Sequence, residues 1–298
     1  MTPPRISWFG RFLTALAGCG VTVAALAVAS CSQQATAQAG SAAARPPAAT
    51  GTVGAQFQVV AVRDPFGACE EKIKRGPHGI RTLAIVGASY TAGVGPDNPA
   101  LSWAADFARK LRWNAVIYGV PGAGYVRTGT GGLGPMSRML DAERLPRLAP
   151  ALVIVQAGHD DGGVPAPIEH RQVAATIDLI RAAAPHARIA LLTVFSLPTG
   201  PVPAALYRAD RVIVTAARDA DPHVIIMDPL TGHWKFSRAH GGLHPTAAGD
   251  AWIAQKVASI LRGDRIAAAP KTVTSAVICD IGVRAKTVLP TPRDGAAH

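Results

Sequence analysis

No acidic residue occurs before Asp64, and the same stretch holds the chain's longest apolar run. Arg5 and Arg11 precede the uncharged segment 12–30, "FLTALAGCGVTVAALAVAS". A positive lead-in followed by an apolar stretch is the layout of an export signal, not of a folded element. How it is processed stays open. "VASC" over 28–31 has the form of a bacterial lipobox, which would leave Cys31 as a lipid-modified first residue. "ATAQA" over 35–39 suits an ordinary signal peptidase instead, and the run is long enough to stay as a membrane anchor. We expect residues 1–31 to be this signal. Residues 32–55, rich in Ala, Gly, Gln, Ser and Pro, form a tether, and 56–298 a single α/β domain. The expected location is the bacterial cell envelope or the medium.

Clustered charge is also missing. Lys and Arg outnumber Asp and Glu by 30 to 19, yet the basic residues are scattered singly. Nucleic-acid binding would call for a basic stripe interleaved with aromatics, and aromatics make up only 5% of the chain. Nucleic acid is therefore excluded as a partner. The scattered charge reads as a solvated surface that tolerates anionic envelopes. Only seven of the basic residues are Lys, an arginine bias typical of GC-rich bacterial genomes.

Cysteine is scarce as well. Cys19 and Cys31 belong to the signal, which leaves Cys69 and Cys279, one on each side of the repeating core. In an exported chain two such residues are expected to form a disulfide. Neither has a second Cys or His at ligand spacing, so no metal is assigned to them.

What is present is alternation. Five apolar runs read as strands buried on both faces: 82–87, 114–119, 151–158, 188–194 and 223–228. Helical patterns lie between them at 102–111, 137–145, 168–184 and 203–220, and a last helix opens at Thr246, an N-cap residue. The pattern predicts a three-layer α/β/α sandwich around a mostly parallel five-stranded sheet of flavodoxin-like type. Functional groups in such a sheet gather at the carboxyl ends of the strands.

Four stretches stand at those ends. "VGASYTAGVG" follows the first strand and places Ser89 at a strand-to-helix turn among small residues. "YGVPGAGYV" follows the second and contains Gly122, whose N–H is unobstructed by a side chain. "QAGHDDGG" follows the third. "HGGLHPTAAG" precedes the last helix and carries His240 and His244. A zinc pair at i, i+4 would want a helix, and the two glycines and the proline argue against one. His159, beside Asp160 and Asp161, is a similarly weak ligand candidate.

In this order and at these positions, the four stretches resemble the SGNH (GDSL-like) hydrolase superfamily. The resemblance covers about 80–262. Gly87-Ala88-Ser89 with Gly93 corresponds to the first block, Gly122 to the second-block glycine, and Gly158-His159-Asp160-Asp161 to Gly-x-Asn-Asp. Gly241-Gly242-Leu243-His244-Pro245 corresponds to Asp-x-x-His-Pro. Three positions depart from the pattern: Ala88 replaces an Asp of little mechanistic weight, Asp160 replaces an oxyanion-donating Asn, and Gly241 replaces the triad carboxylate.

The resemblance implies a serine ester hydrolase that works through an acyl-enzyme. Ser89 would be the nucleophile and His244 the general base. The N–H groups of Ser89 and Gly122 would serve the oxyanion hole, where Asp160 fits poorly because an ionised carboxylate repels an oxyanion. No metal or organic cofactor is implied. The substrate would be a small-molecule, lipid or envelope-glycan ester, and the enzyme a monomer attached to a membrane, if at all, through its N-terminus. The same residues would suit an envelope-carbohydrate O-acyltransferase or deacetylase. The contrasting class is a binding protein that keeps the fold without the chemistry.

Overall fold

The computed structural model describes residues 57–58, 65–75, 78–141, 144–197, 200–239, 242–273, 275–283 and 289–290. The expectations for the signal, Cys31, the tether, His240 and Gly241 lie outside the described residues. Among the described residues no helix is long and apolar enough to cross a membrane.

Six parallel strands form the sheet: β1 (Thr82–Gly87), β2 (Asn114–Gly119), β3 (Leu152–Gln156), β4 (Arg188–Leu192), β5 (Ile225–Met227) and β6 (Ile278–Asp280). Their spatial order is β5-β4-β3-β1-β2-β6. Every residue of β1, β2 and β3 is buried, which is why these strands read as unbroken apolar runs.

Helices cover both faces. On one side Val173, Ile177 and Ile180 of α5 (Ala166–Ala183) and Ala209, Ile213 and Ala216 of α6 (Ala204–Ala220) pack on the sheet; Phe66 and Cys69 of α1 (Pro65–Lys74) join them. On the other lie Trp103 and Phe107 of α2 (Trp103–Leu111) and Ile253, Val257 and Leu261 of α7 (Ala247–Gly263). Thr246 caps α7 as expected, its hydroxyl accepting from Gly249 N at 3.1 Å. The caps also tie helices together: Asp250 in the first turn of α7 accepts from Trp103 N at 2.9 Å, at the start of α2.

The expected five strands are corrected to six. The added strand, β6, pairs in parallel with Ala115–Ile117 of β2. At three residues it is too short to show a periodicity. It is held from outside its own sequence: Cys279 in β6 is disulfide-bonded to Cys69 in α1, with Cα atoms 5.9 Å apart. The bridge therefore joins the segment before the first strand to the tail after the last helix. The pattern at 137–145 resolves into two four-residue helices, α3 (Met136–Met139) and α4 (Leu145–Leu148). Leu140 leaves the helical region, and a proline opens the second piece.

Candidate active site

The strand order reverses between β1 and its neighbours β2 and β3, the kind of switch point beyond whose carboxyl ends α/β sheets place their functional groups. Ser89 stands two residues past β1. No helix begins at that turn, contrary to the expected strand-to-helix junction; α2 starts only at Trp103. The turn is shaped by Gln156, the one polar residue of buried β3. Its Oε1 accepts from Ala88 N at 3.1 Å, Thr91 N at 3.3 Å and Thr91 Oγ1 at 2.9 Å. Gly87 permits this approach, because a Cβ there would lie 2.1 Å from Thr91 Oγ1. A lone glutamine closing an apolar strand was a signal available in the sequence.

His244 Nε2 lies 2.8 Å from Ser89 Oγ. Both side chains are partly exposed, so a substrate can reach them. The histidine arrives on a short closed loop. Ala239 N donates to His244 O at 2.8 Å, Thr246 N donates to Ser237 O at 3.0 Å, and Arg238 bridges to Pro245.

The loop is gripped through its backbone carbonyls. Leu243 O accepts from Tyr90 Oη at 2.5 Å and from Arg238 Nη1 at 2.6 Å. Arg238 Nη1 also reaches Gly242 O at 3.3 Å, and Nη2 reaches Ser196 O at 2.9 Å. Tyr90 is stacked on Phe195 at 4.2 Å between ring centroids, and lies 5.4 Å from the His244 ring. Burial pushes the Tyr90 hydroxyl up to about 12, so it stays a donor at neutral pH. Sequence reasoning missed Tyr90 and Arg238. Their partners are carbonyl oxygens, which every residue carries.

Among the described residues no Asp or Glu side chain is bonded to the His244 ring. Burial holds the His244 pKa below the ordinary value, and the positive charges of His159 and Arg238 add to the effect. The imidazole is thus neutral at neutral pH and free to accept a proton. Neighbouring His159 has its own pKa lowered, again mainly by burial.

Gly122 has φ +77°, a left-handed conformation that suits glycine. Among the described residues neither Ser89 N nor Gly122 N makes a hydrogen bond. Both donors are available to an incoming oxygen.

The two acids after β3 behave differently. Asp161 is fully buried and accepts from Tyr125 N at 2.6 Å, Val126 N at 3.3 Å and Arg127 N at 3.1 Å. It binds the loop after β3 to the loop after β2. Asp160 is partly buried, and its carboxyl is pushed up to about 6, first by burial and then by the charge of Asp161. It remains partly protonated near that pH, in keeping with a position where full ionisation is costly.

A serine hydroxyl on an imidazole nitrogen, at the switch point of a parallel sheet, is the layout of a serine hydrolase. Residues 85–252 match the model of the GDSL-like lipase/acylhydrolase family. That is more than half of the chain, and the protein belongs to this family of hydrolases. It is similar to a GDSL lipase of Mycobacterium tuberculosis, with 29% identity over 194 residues that cover 61% of this chain and 82% of the relative. Among solved structures, a family two carbohydrate esterase from Clostridium thermocellum in complex with cellohexaose superposes with a TM-score of 0.51. Identity to it is 18%, over 63% of this chain and 66% of that one. A family two carbohydrate esterase from Cellvibrio japonicus gives 0.50 at 18% identity, covering 61% of each chain. The protein spans less than two thirds of either esterase, and at this identity the likeness is one of fold.

Proposed function

We propose that the protein is an exported serine esterase that cleaves carboxylic esters through an acyl-enzyme on Ser89, with His244 as general base. The observation that carries this reading is the 2.8 Å contact between Ser89 Oγ and His244 Nε2. Ser89 Oγ attacks the ester carbonyl as its proton passes to Nε2. The carbonyl oxygen becomes an oxyanion and takes hydrogen bonds from Ser89 N and Gly122 N. His244 then returns the proton to the leaving alcohol, and water repeats the sequence to release the acid. Asp160 is left out of the oxyanion hole, since its carboxylate form opposes the developing charge. The arginine-led apolar run at 12–30 and the Cys69–Cys279 disulfide support export.

Among the described residues the dyad has no supporting carboxylate. The positive charge of Arg238 opposes the imidazolium that forms, so the enzyme is expected to be slow. If the acceptor is a sugar hydroxyl instead of water, the same residues perform acyl transfer, and on an O-acetylated glycan they perform deacetylation. Assay with p-nitrophenyl esters of increasing chain length tests the reading. Wild-type protein should turn over at least one of them, and Ser89→Ala should lower kcat at least about a thousandfold with the fold intact. Retention of most activity in Ser89→Ala would overturn it.

A further inference from the structure

A cavity of about 420 Å³ opens beyond the carboxyl ends of β4 and β5, within the size range of small-molecule sites. Leu197, Val202, Trp234 and Phe236 supply apolar wall, Lys235 and Arg238 supply cationic groups, and His233 supplies an imidazole. Among the described residues that line it none is acidic.

The cavity is joined to the dyad in two ways. Arg238 lines it and also holds the carbonyl of Leu243, one residue before His244. An aromatic chain runs beside that link: Phe236 packs edge-on against Phe195 at 5.7 Å, and Phe195 stacks on Tyr90.

Arg238 is the decisive residue. It is half-buried, and its Nη groups bond to backbone carbonyls and hydroxyls. Among the described residues no carboxylate pairs with it, nor with Lys235 or His233. A partly desolvated guanidinium without a counter-charge gains strongly from an anion brought to it.

We infer that this cavity binds an anionic amphiphile, a molecule with an apolar body and a carboxylate or phosphate end, as part of the substrate or product handled at Ser89. The apolar body lies against Trp234 and Phe236, and the anion lies among Arg238, Lys235 and His233. The inference rests on the esterase reading only for what the ligand is used for; binding itself does not require turnover. An anion there offsets the positive charge of Arg238 felt by His244, so occupancy raises the basicity of the dyad.

The test is titration of Ser89→Ala protein with octanoate, octyl phosphate, octanol and octylamine, followed by calorimetry. Octanoate or octyl phosphate should bind with a Kd on the order of 1 mM or tighter, at least about tenfold better than octanol, while octylamine should not saturate. Preference for octyl phosphate assigns the anion to a phosphate on the alcohol side, and preference for octanoate assigns it to the released acid. In the same background Lys235→Glu should weaken anion binding at least about tenfold and favour octylamine, and Trp234→Ala should weaken octanoate, octyl phosphate and octanol alike. Equal binding of octanoate and octylamine, no saturable anion binding, or indifference to Lys235→Glu in a variant with unchanged thermal melting would overturn the inference. Failure of the esterase reading would appear separately, as wild-type protein inert towards neutral esters.

Discussion

Two loops at the same sheet edge are fixed by opposite chemistry. The loop after β3 sends the carboxylate of Asp161 into three backbone N–H groups of the neighbouring loop. The loop before α7 turns its backbone carbonyls towards a cation, Arg238, and a phenol, Tyr90. Converging N–H groups call for an acid, and converging carbonyls call for a donor. The difference shows how a chain can lose the acid of a hydrolase motif and still deliver its histidine. In this protein the loop is positioned through the main chain, and among the described residues the ring has no anionic partner. Position is retained while the electrostatic help is lost.

Breaking the acid-held loop should have the largest effect. Asp161→Ala leaves three N–H groups without their acceptor, a loss of about 3 kcal/mol. Thermal unfolding should fall by roughly 6–12 °C, with activity lost in parallel. An unchanged melting temperature would mean that the carboxylate does not hold these loops together.

Breaking the cation-held loop should cost rate more than stability. Arg238→Met releases the Leu243 and Ser196 carbonyls, and kcat should fall on the order of tenfold to a hundredfold through misplacement of His244. Arg238→Lys should recover part of the loss. Arg238 charge also helps to hold the His244 pKa down, so its removal should move the acid limb of the pH–rate profile upward. A purely structural role would leave that limb in place.

The comparison is sharpened by restoring the acid. By sequence Gly241 corresponds to the carboxylate of the resembled motif, and Gly241→Asp should raise kcat several-fold and move the same limb upward, as an anion beside an imidazole does. A several-fold loss would show that the main-chain arrangement and the family triad are incompatible. This is the smallest of the expected effects.

The fold was legible because buried parallel strands write themselves as apolar runs. Four of the five expected strands are nearly continuous in hydrophobicity, and helices α5, α6 and α7 follow their patterns to within about two residues. The sixth strand was not legible, because Ile278–Asp280 owes its place to pairing with β2 and to the Cys69 bridge. In the candidate site, the approach of Ser89 to His244 was legible, since both residues stand in loops beside elements whose patterns are clear. Arg238 and Tyr90 were not, because they act on carbonyls. Asp161 was visible only as part of a motif, and its structural task depends on a loop 34–36 residues earlier.

The rate at which a fluorophosphonate labels Ser89, followed across pH, tests most directly whether Ser89 is activated by a histidine that lacks an anionic partner. Labelling should depend on His244, vanish in His244→Ala, and reach half its maximum below the ordinary histidine value of about 6.5. Half-maximal labelling at or above that value would reveal a carboxylate on the ring, and no labelling at any pH would remove Ser89 as the nucleophile.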